Sequence, residues 1–79
     1  MTPEQFYDLD KMSQAEVVWD GAHIGERHDD KHLIMLYKNG DLFIEVYLHI
    51  QHQIIKKFEA FSKHELLDIY TFKTGFSIN

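Results

Sequence analysis

The sequence predicts an α+β domain, a four-stranded antiparallel β-meander with two short N-terminal helices and one C-terminal helix packed on one face. Three observations carry this. The stretch Leu33–Leu48 is two apolar strands around Asn39-Gly40, a strong short-range hairpin signal. Two further strand-like runs, Ala22–His28 and Ile54–Phe61, flank it. Outside them lie three helix-start patterns, in which a Thr or Ser is followed three positions later by Gln or Glu.

The first start is Thr2-Pro3-Glu4-Gln5, with Thr2 as N-cap, Pro3 at the first helical position and Gln5 closing a capping box. Phe6 and Leu9 then point inward from a helix ending near Asp10. Ser13-Gln14-Ala15-Glu16 repeats the pattern and opens a helix through Val17, Val18 and Trp19. Gly21 follows as a left-handed C-terminal stop. Val17-Val18-Trp19 alone would also suit a strand, and the capping box decides for helix. A strand over Ala22–His28 turns at Asp29-Asp30 into the strand that begins near Lys31.

With Asn39-Gly40 as the turn, Lys38 faces Asp41. The pairs Tyr37–Leu42, Met35–Ile44 and Leu33–Val46 then share an apolar face. The opposite face is mixed, with Leu36–Phe43, Ile34–Glu45 and His32–Tyr47. In the preceding hairpin His28 faces Lys31 and Arg27 faces His32, while Ile24 beside Met35 extends the apolar face. An odd-numbered loop after Leu48 puts Lys57 beside Glu45; an even one would put Lys57 against Ile44 in the core at a large desolvation cost. Lys56 still falls on the core side and must snorkel to the rim. Ser62-Lys63-His64-Glu65 opens the last helix through Leu66, Leu67, Ile69 and Tyr70. The tail 71–79 is either a packed arm or an exposed apolar end.

The chain of 79 residues makes one domain, near the small end of what folds without staples. It has no cysteine, which excludes disulfides and thiolate metal sites. No apolar run reaches the length of a membrane span and no signal-peptide pattern opens the chain, so a cytoplasmic protein is the expectation. The net charge of −5 is uneven: residues 1–30 hold eight acids against Lys11 and Arg27, residues 31–79 six lysines against five acids. This balance argues against nucleic acid and anionic membranes as partners and suits a basic protein.

The segments Gly21-x-x-Ile24-x-Glu26-Arg27, Leu36-Tyr37, Phe43-Ile44-Glu45-Val46-Tyr47 and Leu66-Leu67-x-x-Tyr70 together resemble a set of small, uncharacterised bacterial proteins. The resemblance implies the fold and no activity.

Six histidines raise the question of metal. His28 and His32 bracket one turn and His49 and His52 another, but His28 and His32 point to opposite faces and no His-Glu-x-x-His pattern occurs. No metal or cofactor is expected. Ser13 and Ser62 are helix caps, no glycine-framed nucleophile elbow surrounds a serine, and the glycines at 21, 25, 40 and 75 form no phosphate-binding loop. Glu45 beside His32 and Tyr47 is the one acid–base candidate, in a chain too small for a roomy pocket. An enzyme is therefore not expected.

The mixed face is the candidate site. Arg27, His32, Glu45, Tyr47 and Lys57 gather there beside Phe43, Ile34, Leu36 and Ile55, and Arg and Tyr beside apolar groups are enriched at protein interfaces. The expected function is a small acidic protein-binding module, of inhibitor or immunity type, acting through this face or through the acidic N-terminal helices. A self-associating domain, with a homodimer as its product, is the alternative.

Overall fold

A computed structural model of the chain describes residues 1–66 and the backbone of residues 77 and 78. Its elements are α1 (Pro3–Tyr7), α2 (Lys11–Asp20), β1 (Ala22–His28), β2 (His32–Asn39), β3 (Leu42–His49), β4 (Ile54–Phe61) and β5 (Ser77–Ile78). A third helix, α3, begins at residue 63 and is described to residue 66. The sheet runs β4-β3-β2-β1-β5, its four long strands forming the expected antiparallel meander. β5 adds a short fifth strand against Gly25 and Glu26, so this part of the tail is packed at the level of its backbone. The expectations for Leu67, Ile69 and Tyr70, and for the rest of the tail, lie outside the described residues.

Local chemistry accounts for the helices. Thr2 and Gln5 form the reciprocal capping box, Gln5 N–H donating to Thr2 Oγ1 and Thr2 N–H to Gln5 Oε1. α1 is shorter than expected and stops at Tyr7. α2 begins earlier than the Ser13 reading placed it. Asp10 is its N-cap, and the Asp10 carboxylate accepts the Ser13 N–H at 2.7 Å. Those Ser13 hydrogen bonds hold the Asp10 carboxyl below its ordinary range. The stop at Gly21 has a different cause from the one expected. Its φ is −85°, an ordinary extended value, but a Cβ there would lie 2.6 Å from the Lys38 carbonyl oxygen. Close approach of two backbones requires the glycine. Ser62 and Glu65 cap α3 reciprocally, as read from the sequence.

All three hairpins pair two residues away from the expected register. The central turn is Gly40-Asp41, with Asn39 already paired to Leu42. Gly40 has φ +60° and Asp41 is not left-handed, as a turn with glycine first requires. Asn39 is occupied elsewhere: its Nδ2 donates to the Val17 carbonyl at 2.8 Å, tying β2 to α2. Arg27 lies opposite Ile34, not His32, and Lys57 lies opposite Tyr47, not Glu45. A shift of two preserves the alternation of side chains, so the hairpins keep their two faces.

Two bulges change the faces locally. The register shifts between His23 and Gly25, and Ile24 packs with Leu36 and Phe43 on the mixed face instead of beside Met35. It shifts again between Tyr47 and Leu48, where Lys56 has no partner on β3 and is exposed. Lys56 thus avoids the core without snorkelling. The same bulge carries Ile55 to the helix side, opposite Leu48, and leaves Ile54 opposite His49 on the mixed side.

Two apolar clusters result. Phe6 of α1 and Val18 of α2 are buried with Leu42, Ile44, Val46 and Ala60, with Met35, Tyr37 and Phe58 packed around them. Across the sheet, Leu66 of α3 is buried with Leu36 and Phe43. The N-terminal and C-terminal helices therefore take opposite faces, which corrects the expectation of a single covered face. The physical reason is that Leu36 and Phe43 alternate with Tyr37 and Ile44, and their large apolar area needs its own cover.

Candidate binding surface

On the mixed face, alternation along β3 raises Glu45 and Tyr47 side by side. β1 brings Arg27 from one flank and β4 brings Lys57 and Glu59 from the other. Arg27 Nε donates to Glu45 Oε2 at 3.0 Å and its Nη2 reaches Glu45 Oε1 at 3.4 Å, a two-pronged pair. The same Nη2 donates to the Tyr47 hydroxyl at 3.2 Å. Lys57 Nζ donates to Glu59 Oε1 at 2.9 Å and lies 4.4 Å from the centre of the Tyr47 ring.

The Tyr47 hydroxyl is the node. It stands 3.4 Å from both Glu45 Oε1 and Glu59 Oε2, with one proton to give between two carboxylates. Burial, then the charges of Glu45 and Glu59, push its pKa up to about 12 against the opposing pull of Arg27. Glu45 is 1% exposed and the Arg27 side chain 17%. No buried side-chain nitrogen or oxygen among the described residues lacks a hydrogen-bond partner. The group is a satisfied, largely interior network that opens at its β4 end, where Lys57 is exposed and Glu59 half-buried.

Five of the six expected site residues therefore assemble: Arg27, Glu45, Tyr47 and Lys57 in the network, and His32 against the edge of the Tyr47 ring at 5.8 Å. Phe43 stands apart, buried beside Leu36 and Leu66. Glu59 was missed, although it shares the face of Lys57 two residues along β4. Placing Lys57 opposite Glu45 had already supplied that lysine with an acid.

Three of the six histidines gather beside this network, where β2 and β3 meet their loops. His32 packs edge-on to His49 at 5.5 Å, and His49 stacks on His52 at 4.3 Å. Asp29 holds the β1–β2 turn by accepting the Lys31 and His32 N–H groups, the Lys31 bond contributing most to lowering its carboxyl pKa. Partial burial, then His52, His32, Lys56 and Lys31, pull the His49 pKa down. Stacked rings turn their nitrogens away from a common centre, and no group of three potential ligands among the described residues is placed to hold a metal ion.

The open ground lies along β4, the last strand in the sheet order. At one point its outer edge is closed by a side chain. The Tyr7 hydroxyl accepts the Ala60 N–H at 2.9 Å and lies 3.5 Å from the Ala60 carbonyl. Since alternate residues of an antiparallel strand turn their amides the same way, the Phe58 N–H and C=O also face outward. No strand among the described residues pairs with them. Ile54 and Ile55 are 48% and 44% exposed. On the helix side, Tyr7, Lys11, Gln14, Ile55, Lys56, Lys57 and Phe58 line an open groove between the helices and β4. Sequence reading missed Tyr7, Lys11 and Ile54, because the groove depends on where α1 docks.

No family model, curated protein or solved structure matches this chain. No helix among the described residues is long and apolar enough to cross a membrane.

Proposed function

We propose that this chain is a small protein-binding module that engages its partner along the outer edge of β4. The observation that carries the reading is that edge itself: outward backbone groups at Phe58, with Ile54 and Ile55 exposed on either face of the strand beside them. Exposed strand edges are templates for another chain, and β-strand addition is a recurrent mode of peptide recognition. The polar network supports this role from beneath. It braces β3 against β4 and leaves Lys57 and the Tyr47 ring as the rim.

Self-association through the same edge is disfavoured by its chemistry. Antiparallel pairing of two copies about this segment sets Lys56 against Lys56 and brings both Lys57 side chains close, a repulsion natural edge strands use against self-pairing. The test is comparative affinity capture from source lysate with the parent protein, Ile54→Lys and Ile55→Asp, alongside light scattering of each. A captured protein present with the parent and absent with both variants is the expected result. Equal capture by all three overturns the edge as the binding surface, and a dimer lost in the variants would return the self-association reading. Both isoleucines are exposed, so folding should change little.

A further inference from the structure

Resting on that reading, we infer that the occupant of the β4 edge is an extended acidic segment of the partner, added as a strand with its carboxylates over the groove beside β4. Two of the chain's eight basic residues, Lys11 and Lys56, bring uncompensated charge to that groove, and no carboxylate lines it; Lys57 borders it too, but its ammonium turns to Glu59 on the other side of the strand. In a chain of net charge −5 this is a local reversal of sign. An acidic strand complements it, whereas a basic one would meet the ammonium groups of Lys11 and Lys56.

The apolar part of the site is divided between the two sides of the strand. Ile55 and Phe58 sit in the groove with Tyr7, while Ile54 and Lys57 occupy the other side of the strand. A segment alternating acidic and β-branched residues would present one residue type to each side, as an added strand does. The Tyr7 hydroxyl on Ala60 marks where pairing must stop, since it already fills the hydrogen-bonding position of the next strand there. The added strand thus runs along residues 54–58 and ends before Ala60. The bulge at Lys56 turns that lysine outward, where a partner carboxylate meets it.

The experiment uses short synthetic peptides and the full chain labelled for amide NMR. One peptide alternates glutamate and valine; a second has lysine in place of every glutamate. The acidic peptide is expected to shift the amides of Ile54–Phe58, Tyr7 and Lys11, and the lysine peptide to shift none. Lys11→Glu and Lys56→Glu, both at exposed positions, should each weaken the acidic peptide by about tenfold or more, and added salt should weaken it for the parent protein. Equal binding of the two peptides, insensitivity to both lysine changes, or shifts located elsewhere overturns the assignment. Silence of the acidic peptide while capture of a protein still depends on Ile54 and Ile55 also overturns it, and leaves the edge reading standing. Capture independent of those isoleucines removes both.

Discussion

The two faces of the sheet solve the same problem with different chemistry. Under α1 and α2, Phe6, Val18, Ile44 and Val46 are fully buried in one cluster of apolar residues. On the other face Glu45 is as deeply buried, and its environment includes Arg27 and the Tyr47 hydroxyl. The dry face gains by removing area from water, about 1.5–3 kcal/mol for each large side chain. The polar face gains little net, because desolvating a carboxylate and a guanidinium offsets most of their attraction. What it does hold is geometry: hydrogen bonds tie side chains of β1, β3 and β4 to one another. Burial alone does not reveal which kind of energy a residue contributes.

The sharpest way to break the comparison is to delete one buried member on each side. Phe6→Ala should cost about 3–5 kcal/mol by leaving a cavity. Glu45→Ala should cost a similar amount, about 3–5 kcal/mol, by removing the carboxylate that compensates the part-buried Arg27 charge. The faces then part company on a second change. Arg27→Met together with Glu45→Leu should recover most of the loss in urea denaturation, since an apolar pair of similar volume needs no partner. If the double variant is no more stable than Glu45→Ala alone, the polar face is contributing energy like the dry one.

A smaller effect belongs to the helix side alone. Gly21→Ala places a methyl 2.6 Å from the Lys38 carbonyl and should cost about 1–3 kcal/mol, by forcing α2 away from β2. The Val17–Asn39 hydrogen bond should weaken with it, seen as faster exchange of the Asn39 side-chain amide. An unchanged melting curve would show that the backbones do not meet there.

Alkaline pH probes the polar face. The Tyr47 pKa is raised to about 12 in the folded chain against 10.0 when unperturbed. The unfolded chain therefore loses this proton first. Stability contributed at neutral pH should fall as pH rises from about 10 to about 12, and not below that window. Tyr47 is only part-buried, so solvent screening reduces the full two-unit value to about 1 kcal/mol. Tyr47→Phe should flatten this part of the pH profile.

The smallest effect concerns His49. Its depressed pKa means the unfolded chain protonates first, so its contribution is complete above the ordinary histidine value and is lost as pH falls below it. His52→Gln should move the His49 titration, followed by proton NMR, upward toward that ordinary value.

Much of this contrast was legible from the order of residues. The apolar/polar alternation of Leu33–Leu48 assigned Met35, Ile44 and Val46 to one face and Glu45 and Tyr47 to the other, and both assignments hold. Register was less legible. Asn39-Gly40 and Gly40-Asp41 are both acceptable turns, and choosing between them depended on the bond from Asn39 to Val17, a contact 22 positions away. A slip of two keeps every face and changes every neighbour. That is why the network was foreseen and Glu59 was not. The β4 groove had no local signature, because it exists only once α1 lies over β4.

That docking also dictates an order of events. Tyr7 and Ala60 are 53 positions apart, yet the hydroxyl of one closes the backbone of the other. α1 can cap itself as soon as Gln5 follows Thr2, but Phe6 lacks the Phe58 ring until β4 is in place, and Tyr7 has no strand to close. The hairpins, by contrast, join neighbours in the chain and can form as they emerge. During synthesis α1 is made before β4 but cannot take its seat until β4 is in place, and such long-range closure slows folding. Until β4 arrives, Phe6 lacks part of its cover, and an aromatic left open in a nascent chain is a point where a chaperone or a premature partner can meet it.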